Sequence, residues 1–120
     1  MMFQRQMSER AKRVAREARA TVPFVIGITF ELRENHEGEP SIFFKILIAD
    51  EVATAERIGE GTRPVIAYLQ EQMDAAELGY NVYTNFRSAS EQRRLKDPQW
   101  PLPKDILDAA AKSTPEATQV

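Results

Sequence analysis

With 120 residues, 42% of them hydrophobic and 28% charged, the chain has the size and mixture of one globular domain. It contains no cysteine, which excludes disulfides, zinc fingers, iron–sulfur centres and a thiol nucleophile. The formal charge of −2 conceals an asymmetry: residues 1–20 hold six cations against Glu9 and Glu17, a balance of +4, so the remainder carries −6. Nonspecific nucleic-acid binding by the whole domain is therefore disfavoured, while a local basic contact by the first segment stays open.

The first segment repeats apolar residues at helical spacing. Met7, Ala11, Val14, Ala15 and Ala18 predict an amphipathic helix from about Gln4 to Ala20, with a narrow and mostly alanine stripe. Pro23 marks its boundary, because the residue before a proline disfavours helix. No apolar run approaches the roughly 20 residues that span a bilayer, and a secretory signal is not evident. The Arg-rich opening faintly resembles an organellar transit peptide, but Glu9 and Glu17 oppose that. A cytoplasmic protein with no membrane association is expected.

From Phe24 the period changes to two. Phe24, Ile26, Ile28, Phe30 and Leu32 fall on one face, with Thr29, Glu31 and Arg33 on the other. The polar stretch Glu34 to Pro40 contains Gly38 and separates this run from Ile42, Phe44, Ile46 and Ile48, which alternate again. The pair reads as an antiparallel hairpin. The second strand also carries Phe43 and Leu47 on its other face beside Lys45, so it is apolar on both sides. Either the chain covers that face itself or a partner does.

Asp50 is placed to cap a helix opening at Glu51, with Val52, Ala55 and Ile58 on one side. Gly59 and Gly61 interrupt it, and Thr62 with Pro64 suits the start of a new helix bearing Val65, Ile66, Leu69 and Met73. One helix or two over residues 51–78 both fit the pattern, with Gly79 as the stop. Tyr80, Val82, Thr84 and Phe86 define a third strand over residues 80–87. Ser88-Ala89-Ser90-Glu91 has the form of a capping box, which predicts a short helix from Ala89 to about Lys96. Pro98, Pro101 and Pro103 forbid regular structure around Trp100. Asp105 to Lys112 suits a last short helix, and Ser113 to Val120 has the composition of a tail.

The expected fold class is α+β, a small three-stranded sheet in α-β-β-α-β-α order with helices mainly on one face. The helix between strands two and three permits a crossover that makes that pair parallel. Residues 1–112 form a single domain on this reading, and residues 113–120 a flexible C-terminal tail.

Three clusters bear chemistry. His36 sits among Glu34, Glu37 and Glu39, with Asp50 at the far end of the next strand. Imidazole and carboxylates are metal ligands and general bases, but a Gly-containing hairpin tip is also where such residues merely keep a loop in water. Arg87, Arg93, Arg94 and Lys96 follow the third strand near Tyr80, Tyr83, Phe86 and Trp100. Basic residues interleaved with aromatics bind phosphates and stack bases, and they equally pair with an acidic protein surface. Tyr83, Asn85 and Arg87 share one strand face as a polar recognition row. Trp100, in an irregular segment, either plugs the core or meets a partner. With one histidine, no P-loop and no Gly-x-Ser-x-Gly, no catalytic residue, cofactor site or metal ligand is assigned.

Phe30-Glu31-Leu32-Arg33-Glu34-Asn35-His36-Glu37-Gly38-Glu39-Pro40 and Val82-Tyr83-Thr84-Asn85-Phe86-Arg87-Ser88 together resemble small uncharacterised bacterial proteins. Those are encoded as the partner member of two-gene loci of the toxin–antitoxin kind. The resemblance implies binding to a partner protein and carries over no catalytic residue. The leading expectation is a non-enzymatic protein-interaction module, antitoxin-like or a homodimer, contacting its partner through Phe43, Leu47, Tyr83, Asn85, Arg87, Arg93, Arg94 and Trp100. One alternative is a nucleic-acid-associated protein using the first helix and the Arg87–Lys96 segment. The other is a metal-dependent enzyme around His36 and Asp50.

Overall fold

Three strands make one mixed sheet in the order β1-β2-β3, with β1 antiparallel and β3 parallel to the central β2. The computed structural model describes residues 2–105. The helix expected over Asp105–Lys112 beyond its first residue, the domain boundary at residue 112 and the tail over residues 113–120 lie outside them. Helix α1 (Met2–Thr21) precedes β1 (Val25–Glu34) and β2 (Pro40–Ile48). Helices α2 (Ile58–Met73) and α3 (Ala75–Leu78) carry the crossover to β3 (Asn81–Ser88), and α4 (Ala89–Leu95) follows. This is the expected α+β architecture, and the helices pack on one face of the sheet.

The core lies between that face and α1 and α2. Ile42, Phe44, Ile46 and Ile48 of the central strand are sealed, and the α1 stripe Met7, Ala11, Val14, Ala15 and Ala18 is buried against them. Burial of this kind contributes about 25 cal/mol per Å² of apolar surface. Alanine contributes little area, but it lets the helix approach the sheet closely. Phe30 tilts against Phe44 with ring centroids 6.2 Å apart.

Strand β1 departs from strict alternation. The register slips between Val25 and Gly27, so Ile26 is the extra residue of a bulge and Val25, opposite Ile48, enters the core. Phe24 is not part of the strand. It takes a left-handed φ of 69°, which turns the chain from α1 into β1.

The segment after β2 also differs from expectation. Asp50 does not cap a helix at Glu51. It opens a 3-10 turn, Asp50–Val52, and its carboxylate accepts instead from the backbone amide and hydroxyl of Ser90, forty positions away. Val52 is buried, but Ala55 and Ile58 are exposed. Helix α2 runs unbroken through Gly59, Gly61 and Pro64. Thr62 donates back to the Ile58 carbonyl at 2.9 Å rather than capping a new helix. Pro64 removes one helical donor, and the buried stripe Gly61, Val65, Leu69 and Met73 outweighs that loss. The helix does not run on to Gly79: α2 ends at Met73, where Asp74 takes a left-handed φ of 51°, and Gly79, at φ +80°, follows only the short α3. Ser88 caps α4 by accepting from the Glu91 amide at 3.1 Å.

The second face of β2 is covered largely by the chain itself. Gly27 faces both Leu47 and Pro103: a Cβ there would lie 3.1 Å from Pro103 Cδ and 3.2 Å from Leu47 Cδ1. Leu47 is only 2% exposed and Trp100 7%. The proline-bracketed segment is therefore the cover.

Candidate interaction site

Four of the residues expected to meet a partner are engaged inside the chain. Leu47 and Trp100 are buried. The Arg87 guanidinium lies over the Trp100 ring, 4.4 Å from its centroid, and donates to Gln92 Oε1 at 2.8 Å and Asp97 Oδ2 at 3.3 Å. The Gln99 amide, and after it Arg87, holds the Asp97 carboxyl below the usual carboxylate range. Phe43 is half-buried, its ring stacked on Tyr83 with centroids 4.8 Å apart and capped by the Arg33 guanidinium at 3.7 Å. Tyr83 keeps 39% of its surface, and Asn85, Arg93 and Arg94 are exposed. The row of Tyr83, Asn85 and Arg87 is thus open at its first two members and clamped at the third.

Asn35, not singled out in the sequence, is buried and organises the hairpin. Its Oδ1 accepts from the Glu37 and Glu39 amides at 2.9 Å each, and its Nδ2 donates to Glu39 Oε1 and to the Tyr83 hydroxyl, both at 3.0 Å. Asparagine at the start of a Gly-containing turn is the local signal for such a role. His36 stands exposed at that turn, and β2's nine residues put about 30 Å between it and Asp50. Among the described residues no group of three His, Asp or Glu side chains converges to hold a metal ion.

An open concavity lies elsewhere. A groove of about 860 Å³ runs between α1 and the outer side of β1. It exists because β1 is an edge strand: β2 occupies one side of its backbone, and among the described residues no strand pairs with the other side. The narrow alanine stripe of α1 does not reach far enough to seal β1, so Ile28 and Phe30 remain half-buried as the groove's apolar floor. Lys12, Arg16 and Arg19 form its basic rim, three and four positions apart and so on one side of the helix. Lys12 makes only an exposed 3.5 Å pair with Glu9, and Arg16 has no ion pair among the described residues. Arg19 holds Asp105 through hydrogen bonds of 2.6 and 2.8 Å. Among the described residues no helix is long and apolar enough to cross a membrane.

The local charge excess of residues 1–20 and the narrowness of the helix stripe were the available signals for this groove. No family model, no curated protein and no solved structure matches the chain. The groove is therefore read on its own geometry.

Proposed function

We propose that this protein is a non-enzymatic protein-interaction module that receives an extended segment of a partner protein on the open edge of β1, beneath α1. The observation that carries the reading is the groove itself: a ten-residue strand edge, unpaired among the described residues, lying beside a half-buried apolar floor. An open edge presents alternating N–H and C=O groups, and an extended peptide satisfies both. A nucleic-acid backbone offers phosphate acceptors and would leave the edge carbonyls unmatched. The resemblance to partner members of two-gene loci implies a role of the same class.

Selection of a random-peptide display library on the full chain tests this reading. Peptides rich in β-branched and aromatic residues should be enriched on the natural chain and lost on Ala20→Trp, which fills the groove from an exposed position. Enrichment that ignores Ala20→Trp would remove the reading.

A further inference from the structure

We infer that the segment docking on β1 is acidic, selected by Lys12, Arg16 and Arg19 along the rim of the groove. This rests on the strand-docking reading and adds the chemistry of the partner. Three observations support it. The rim carries three cations, of which Arg16 is unpaired among the described residues and Lys12 is held only by an exposed neighbour. The chain's own Asp105 already occupies the third, with both carboxylate oxygens on one Arg19 nitrogen, so this rim takes a carboxylate. Spacing also agrees: Lys12 and Arg16 are separated by about 6 Å of helix rise, close to the roughly 7 Å between same-face residues of a strand. Alternate carboxylates of an added strand would meet successive cations.

Charge also decides against a second copy of this chain at the same edge. Pairing β1 with β1 would bring two basic α1 helices side by side, each from a segment of net +4. Like charges so juxtaposed oppose association.

The experiment is the same display selection run on the natural chain and on the double variant Lys12→Glu, Arg16→Glu, both exposed positions. The natural chain should enrich peptides with Asp or Glu at alternate positions by roughly tenfold over neutral ones, and the double variant should enrich Lys and Arg there instead. Peptides whose charge is the same on both proteins would overturn the acidic assignment while leaving strand docking in place. Failure of either protein to enrich any peptide, with mixed-sequence single-stranded RNA binding only the natural chain, would overturn both.

Discussion

Arg19 and Asp105, separated by 86 positions, are joined by two hydrogen bonds that tie the last turn of α1 to the segment beyond Trp100. Both side chains are partly exposed, so the pair adds at most about 1 kcal/mol to stability. Its larger consequence is that the chain's own carboxylate competes for one of the three cations on the groove. Asp105→Asn should therefore tighten binding of a short peptide of valine and glutamate residues by roughly threefold to tenfold. Titration calorimetry beside a urea melt would show this, and unchanged affinity would mean that Arg19 is not part of the site.

The cover on the second sheet face predicts an order of mutational damage. Trp100→Ala should cost about 3–5 kcal/mol and Leu47→Ala about 2–5 kcal/mol, since both leave cavities in a closed layer. Phe43→Ala should cost less, because its ring is half-buried. It loses a stack of about 0.5–1.5 kcal/mol and a cation–π contact of about 0.5–1 kcal/mol beyond its burial. Urea denaturation ranks the three. Phe43→Ala as the most damaging change would show that the proline-bracketed segment is not the cover.

Asn35→Ala removes an acceptor for two backbone amides and the donor to the Tyr83 hydroxyl, and is expected to cost about 1–3 kcal/mol. Tyr83→Phe removes only the last of these bonds and should cost about 0.5–1.5 kcal/mol. A double-mutant cycle should find the two changes coupled, and strict additivity would deny the bond between them.

Acid should loosen the grip of the β2 end on α4. The Ser90 hydroxyl holds the Asp50 carboxyl below its ordinary value against the opposing effect of burial, with smaller help from the Ser90 amide and Arg93. A depressed folded pKa gives stability that is fully present above the unfolded value of about 3.9 and is lost as pH falls through the folded one. Asp50→Asn should flatten this part of the stability profile below about pH 4, and Ser90→Ala should do the same. A profile in Asp50→Asn identical to that of the natural chain would remove the assignment.

Gly61→Ala sets two effects of opposite sign against each other. Alanine gains up to about 1 kcal/mol of helix propensity over glycine. Its Cβ would stand 2.6 Å from Val52 Cγ2, on a stiff β-branched side chain that is itself fully buried. Overpacking costs about 1–3 kcal/mol, so the variant should be less stable in a thermal melt. A raised Tm would show that the 3-10 turn can retreat.

The sheet was readable because alternation in Ile28, Phe30, Ile42, Phe44, Ile46 and Ile48 is strict. What escaped the sequence depends on partners far along the chain. Asp50 binds Ser90, Asn35 binds Tyr83, and neither pair shares a local pattern. The bulge at Ile26 hid because apolar residues on both sides of it leave the pattern indifferent to a one-residue slip. Pro64 and Thr62 resembled a helix start, but continuous burial of Gly61, Val65, Leu69 and Met73 keeps α2 whole. The groove was less legible still. Lys12, Arg16 and Arg19 stood out as charge, yet their position depends on β1 lying at the edge, which follows only from the crossover placing β3 beside β2.

Amide hydrogen exchange, followed residue by residue with and without a saturating peptide of valine and glutamate residues, reports directly on an added strand. Slowed exchange along β1, accompanied by changes on the Lys12–Arg19 side of α1 and little elsewhere, is the expected pattern. Protection that appears on β3 or α4 with β1 unaffected would contradict the assignment of this edge as the docking surface.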